Sequence, residues 1–215
     1  LGSMGASVRA VIASNPADSI RPGDVFVLND PYAGGTHLPD VTVISPVFDH
    51  AGREILFWVG SRGHHADIGG LTPGSMPPDS RTIEDEGVLI TNFRLVSGGR
   101  IRDAEMLALL TGARHPARNP DQNLADLRAQ VAANEKGREE LLRMVDQFGL
   151  EVVRAYMRHV QDNAEESVRR AISALRDGDF RLRLDNGAEI RVALRVDPAS
   201  RSAKVDFTGT SAQLP

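Results

Sequence analysis

A chain of 215 residues with 41% hydrophobic content can bury one good core, or one core with a smaller appended unit, and is no disordered polymer. A formal net charge of -4 and a pI near 5.9 argue against the broad basic footprint of a nucleic-acid binder. The absence of cysteine excludes disulfides, thiolate zinc sites and a cysteine nucleophile, so any metal is held by His and carboxylate.

In chain order, Ser7 to Ser14 reads as a short helix and Arg21 to Asp24 as a turn into a first strand, Val25 to Leu28. Asn29, Asp30 and Pro31 stop that strand, and NDPYAGGTHLPD follows, from Asn29 to Asp40. Gly34 and Gly35 let the backbone turn sharply or approach a bound group closely. Val41 to Ile44 is the next strand, Asp49 to Gly52 a hairpin turn, and Ile55 to Val59 an apolar strand expected to be buried on both faces. Strand, turn and strand bring SRGHHADIGGLTPGS, Ser61 to Ser75, back beside the first glycine-rich piece. Arg62, His64, His65 and Asp67 are thereby expected near His37 and Asp40. The Pro- and Gly-rich stretch from Leu71 reads as an ordered loop over that place, to which Glu84, Asp85 and Glu86 add carboxylates. Leu95 to Gly99 resembles a strand ending in a turn, and Asp103 to Thr111 a helix closed by Gly112.

From Asn119 the texture becomes helical. Asn119 can cap, with Pro120 at the first helical position, and Leu124, Leu127, Val131, Leu141, Leu142, Val145 and Phe148 keep helical spacing to Gly149. Val153, Tyr156, Val160, Val168 and Leu175 continue a second helix that stops by Gly178. Asp126, Gln130 and Asn134 share one polar stripe, either a solvated face or a buried one turned to the site. Strands at 180–184, 190–196 and 204–207, with Asn186 and Gly187 as a hairpin signal, form an antiparallel meander. The fold class is α+β: a loop-rich β N-terminal half, two long helices and a C-terminal antiparallel β-meander. Residues 1–118 form a β-rich metal and active-site region, 119–178 a helical region and 179–215 the meander, in one compact body whose opening Gly2, Ser3 and Met4 read either as a cloning scar or as a start inside a larger protein. The longest apolar runs are too short to span a bilayer and no signal peptide is visible, so a cytoplasmic protein without membrane association is expected.

The chemistry lies in two units of one kind, His37 with Asp40 and His64 with Asp67, each in a glycine-rich turn. Two neutral imidazoles and two carboxylates are the ligands that hard or borderline divalent ions take. The competing reading is a structural carboxylate–imidazole network. In an extended segment His65 cannot point with His64, so one is a ligand and the other a substrate-facing acid, base or donor. Asp67 is a fourth ligand or a group that orients an imidazole. His50, His115 and His159 lack such surroundings and read as hydrogen-bonded or solvated. No GxxxxGK[ST] loop is present, so ATP is not bound here through a P-loop, and Ser61, Ser75 and Ser80 lack a nucleophile elbow.

The motifs NDPYAGGTHLPDVTVISPVF, GHHADIGGLTPGSMP and IEDEGVLI, with DLRAQVAANEKG and VDFTGTSAQLP, resemble the hydantoinase B family. That family includes the N-methylhydantoinase beta subunit, the C-terminal part of 5-oxoprolinase, and the alpha subunits of acetone and acetophenone carboxylases. The resemblance implies a catalytic B-type subunit of an ATP-dependent hydantoinase/5-oxoprolinase-type cyclic amide hydrolase. It would work in a hetero-oligomer with a hydantoinase A-type subunit that uses the ATP. Carried over onto HLPD and HHAD, the implied ligands of a divalent metal, Zn or Mn, are His37, Asp40 and His64, with His65 and Asp67 orienting groups or shuttling protons. Leu1 is then an internal residue, and further acidic ligands are expected upstream of it. The alternatives are an ATP-dependent ketone carboxylase alpha subunit and a non-catalytic, metal-stabilised scaffold subunit.

Overall fold

The computed structural model describes residues 2–213; Leu1, expected above to continue an upstream segment, and the last two residues of the final motif lie outside them. The chain divides into two compact units, Leu1–Arg143 and Met144–Pro215. Among the described residues no helix is long and apolar enough to cross a membrane.

The first unit is built on an antiparallel sheet. Its strands are β1 (Val25–Leu28), β2 (Asp40–Phe48), β3 (Ile55–His64), β4 (Phe93–Ser97) and β5 (Arg100–Ile101), in the order β3-β2-β1-β4-β5. Two-residue alternation sorts their side chains into two cores. On one face Phe26, Leu28 and Ile44 pack with Val11 and Ile20 beneath helix α1 (Met4–Ser14). On the other, Val25, Val27, Val41 and Val43 pack with Leu95, Met106, Leu110, Leu124 and Leu127. The last four belong to helices α3 (Asp103–Gly112) and α4 (Pro120–Phe148). Each fully buried Leu, Ile or Phe stabilises the fold by about 1.5–3 kcal/mol, so these two layers fix which face every β2 and β3 residue takes.

Several elements differ from expectation for physical reasons. The first helix begins a turn earlier, at Met4. β2 runs on to Phe48 through Pro46, beyond the last residue paired with β1, a setting in which a strand proline is tolerated. β3 is the edge of the sheet, so of its apolar residues only Phe57 is buried, against the expectation of a strand buried on both faces. Within the covering loop a short helix, α2 (Ile83–Glu86), is set by a Thr82–Asp85 capping box.

The second unit contains helix α5 (Leu150–Ser173) and the expected meander: β6 (Gly178–Arg183), β7 (Glu189–Asp197) and β8 (Ser202–Asp206), in the order β6-β7-β8. α5 is tied to the β7–β8 turn by Arg201 with Glu166, 3.0 Å, and by Arg169 Nη1 donating to the Ser200 carbonyl, 3.0 Å.

Candidate metal centre

The β2–β3 register builds the site. Asp40 opens β2, His64 closes β3, and the two are cross-strand partners at the open end of the hairpin. His37 reaches the same place through a turn in which Asp40 N–H donates to the His37 carbonyl at 3.0 Å, the bend expected around Pro39. Asp40 then stands between the two rings. Its Oδ1 lies 3.0 Å from His64 Nδ1 in hydrogen-bonding geometry, and its Oδ2 lies 2.9 Å from His37 Nδ1 and accepts from Thr36 Oγ1 at 3.1 Å. The ring centroids are 5.2 Å apart. One ligand atom from each of His37, Asp40 and His64 falls within 4.8 Å of the others, the only such grouping of three among the described residues.

The electrostatics suit a cation. Burial pulls the Asp40 carboxyl upward, yet the hydrogen bond to His64, the charge of His37 and the Thr36 hydroxyl hold it below the ordinary carboxylate range. His37 Nδ1 is close to Asp40 Oδ2 but misaligned for a hydrogen bond, which leaves this buried nitrogen without a partner. An orphaned imidazole nitrogen facing a carboxylate fits a divalent ion better than it fits a finished hydrogen-bond network. The side chains remain 38%, 29% and 56% exposed for His37, Asp40 and His64. Two imidazoles and one carboxylate with solvent access match the open three-ligand pattern of catalytic sites.

Gly34 shows how the first loop is held. Its φ is +93°, and a Cβ there would stand 2.9 Å from the Ala6 carbonyl oxygen of α1. The close approach is thus to the protein's own helix. A hollow of about 300 Å³ is lined by His37 and by Met76, Pro77, Pro78 and Glu86 of the covering loop.

His65 and Asp67 take other positions. His65 is buried, with Nδ1 3.0 Å from Asn123 Nδ2 and Nε2 3.2 Å from Gln130 Oε1. The amide N–H of Asn123 can only donate, so Nδ1 accepts and Nε2 carries the proton. Burial, partly opposed by Gln130, pushes this imidazole below its ordinary value, in keeping with a neutral ring. Asp67 Oδ1 accepts from the backbone N–H of Gly69 and Arg118, and Oδ2 from Gly74 N–H and Arg118 Nη1. Burial raises its pKa, but these bonds outweigh it and hold Asp67 below the ordinary range. A substrate-facing role for either residue therefore meets a geometry in which every polar atom is already engaged.

Of the helix stripe, Gln130 and Asn134 turn inward and Asp126 stays half-exposed. Gln130 Nε2 donates to the Val41 carbonyl and Asn134 Nδ2 to the Val43 carbonyl, both at 3.0 Å, so α4 is stitched to β2. Sequence reasoning missed Asn123, Thr36 and Arg118. Asn123 carried a readable signal, since it lies seven residues before Gln130 and so on the same helical face. Arg62, expected near the cluster, is on the Asp40–His64 face of the hairpin.

Comparisons with known proteins bear on this geometry. A model of the family described as hydantoinase B/oxoprolinase matches residues 1–215. The chain is 39% identical over 241 residues to 5-oxoprolinase 1 of Arabidopsis thaliana, an alignment covering all of this chain and 19% of the plant protein. The crystal structure of the ATP-dependent caprolactamase from Pseudomonas jessenii aligns with a TM-score of 0.76 at 31% identity, over 95% of this chain and 35% of that one. A nucleotide-free acetone carboxylase structure aligns with a TM-score of 0.79 at 21% identity, over 98% of this chain and 30% of that one, a likeness of fold. The chain thus spans about a fifth of the plant protein and about a third of each solved chain.

Proposed function

The chain belongs to the hydantoinase B/oxoprolinase family, and from that premise we propose that it is the metal-bearing part of the B-type catalytic subunit of an ATP-dependent cyclic amide hydrolase. The observation that carries this reading is the meeting of His37, Asp40 and His64 at the open end of one hairpin, with His37 Nδ1 left unpartnered. A divalent ion such as Zn or Mn, when bound by these three side chains, supplies Lewis-acid polarisation of a carbonyl or activation of a water.

The other residues position and shield. Thr36 orients the Asp40 carboxylate. His65, clamped by Asn123 and Gln130, fixes the end of β3 against α4 and so the direction of the neighbouring His64. Asp67 and Arg118 lock the start of the covering loop. Met76, Pro77 and Pro78 give the hollow beside His37 an apolar wall suited to the methylenes of a lactam ring, and Glu86, accepting from Ser80 Oγ at 3.3 Å, supplies it with a carboxylate. In this reading an A-type partner subunit uses the ATP, a division of labour supported by the likeness to an ATP-dependent caprolactamase.

Ring opening is favoured over ketone carboxylation because the relatives of higher identity are a 5-oxoprolinase and a caprolactamase, whereas the acetone carboxylase resembles the chain in fold. The test is ATP-dependent lactam hydrolysis by the complete enzyme, reconstituted with its A-type partner and carrying His64→Ala. Folded variant enzyme is expected to lose metal and about 100-fold or more of its hydrolytic rate, the scale on which single groups stabilising the reacting carbonyl act. Loss of metal with hydrolysis intact would support the non-catalytic scaffold instead.

A further inference from the structure

We propose that β6 is the edge through which two copies of this chain dimerise. The two β6 strands pair antiparallel about a two-fold axis at Phe180, setting Asp179 of each copy opposite Arg181 of the other. This interface belongs to the second unit and does not depend on the metal centre.

The strand edge comes first. β6 ends the three-stranded sheet and, among the described residues, pairs with β7 alone. β7 is occupied along both sides, by β6 and by β8, and past the end of β8 its Glu189 and Arg191 bond to Ser211 and Thr210. Leu184 N–H donates to the Ala188 carbonyl, so the hydrogen-bonded pairs in step with it are Leu182 with Ile190 and Phe180 with Val192. The N–H and C=O groups of Asp179, Arg181 and Arg183 therefore point to the open side. All 6 residues of β6 are exposed and none is proline, which makes this a strand edge ready to pair.

Alternation then sorts the side chains. Phe180 and Leu182 share the apolar face with Val192 and Ile190, yet remain 62% and 46% exposed. Asp179, Arg181 and Arg183 share the other face. There Arg181 lies opposite Arg191, and Arg183 lies opposite Glu189, a carboxylate that Arg191 already holds. Like charges directly opposite destabilise a sheet, so the β6–β7 pair leaves Arg181 uncompensated. Asp179 meets Arg195 at 2.9 Å through Oδ1, an exposed pair of small worth that leaves its second oxygen for another partner.

The order of charges selects that partner. Asp179, Phe180 and Arg181 run acid, aromatic, base, and antiparallel pairing reverses the string. Centred on Phe180, the pairing sets Asp179 against Arg181 at two symmetric places and Phe180 against its own copy. Asp179 and Arg181, whose backbone groups point outward, form the hydrogen-bonded pairs, and Phe180 forms the closer, non-hydrogen-bonded one. Further out, Arg183 comes opposite Asp177. Moving the axis to Arg181 would set that residue against itself, and moving it to Leu182 would set Arg181 against Arg183. The edge is thus self-complementary about Phe180, as an isologous interface requires. A two-fold axis normal to the sheet also keeps Phe180 and Leu182 of both copies on one side, extending a single apolar face.

The experiment is sedimentation equilibrium of the purified chain. Wild type is expected to dimerise with a micromolar dissociation constant, in keeping with a small interface. Asp179→Arg and Arg181→Asp each put like charges at both central places and should weaken the dimer by about tenfold to a hundredfold. An equimolar mixture of the two variants restores Asp opposite Arg at both places and should dimerise like wild type, a rescue that a merely misfolded meander would not give. Circular dichroism and the unfolding midpoint check folding of each. If a charge-reversed variant fails to fold, Phe180→Thr carries the test: it keeps strand propensity but removes the aromatic pair at the axis, and should weaken the dimer severalfold. Wild type that stays monomeric at about 100 µM would overturn the proposal. So would folded single variants that dimerise as well as wild type, or a mixture of folded variants that stays monomeric.

Discussion

The two faces of the β2–β3 hairpin carry alternate residues of the same strands and have opposite fates. On one, Asp40, Thr42, Arg62 and His64 meet neutral hydroxyls and each other, and the terminal pair stays open to solvent. Against the other, α4 lays Asn123, Gln130 and Asn134, whose amides satisfy the carbonyls of Val41 and Val43 and the ring of the adjoining His65. The contrast is sharpest between neighbours: the His64 side chain is 56% exposed, and His65 is 2% exposed with both nitrogens engaged. A buried polar group must be bonded or it costs free energy, whereas an exposed imidazole can stay unsatisfied until a ligand arrives. The sealed face braces the hairpin so that the open face can bind.

The largest expected effect comes from breaking the sealed face. Gln130→Leu leaves the Val41 carbonyl and His65 Nε2 without their partner and should cost about 2–4 kcal/mol in denaturant unfolding, with one metal still bound per folded molecule but more weakly, through the loosened end of β3. A cost below about 1 kcal/mol would mean that α4 is only lightly stitched to the sheet. Asp67→Asn comes next, at about 1 kcal/mol near neutral pH, through its bonds to Arg118 and the loop. The folded pKa of Asp67 is depressed, so its stabilisation is present above the unfolded value near 3.8 and is lost as pH falls through the folded value. The gap between wild type and variant should therefore close in acid, as unfolding curves at neutral pH and near pH 3 can show. Thr36→Val, on the open face, should be smallest in stability, within about 0.5 kcal/mol, yet should weaken metal binding severalfold through the loosened Asp40 carboxylate.

Much of the open face was legible in sequence because it depends on local spacing. The apolar runs, the turn at Asp49 to Gly52 and the two His-x-x-Asp units suffice to return His64 to Asp40, and Pro39 marks the bend that brings His37 to both. What was not legible depends on distant partners. That β3 is an edge strand follows from strand order, which its apolar run does not encode. The neighbour of Gly34 is α1, nearly thirty residues earlier. The commitments of His65 and Asp67 are made by Asn123, Gln130 and Arg118, more than fifty residues further on. The stripe on α4 is legible, but a four-residue spacing through Asp126 points slightly away from the face that Asn123 shares with Gln130.

The most direct test is metal content by equilibrium dialysis for wild type, His37→Ala, Asp40→Asn and His64→Ala, each checked for folding by its unfolding midpoint. One equivalent of divalent metal in wild type, lost from all three folded variants and kept by Gln130→Leu, is the predicted result. Folded His37→Ala and His64→Ala that remain fully loaded would contradict the centre.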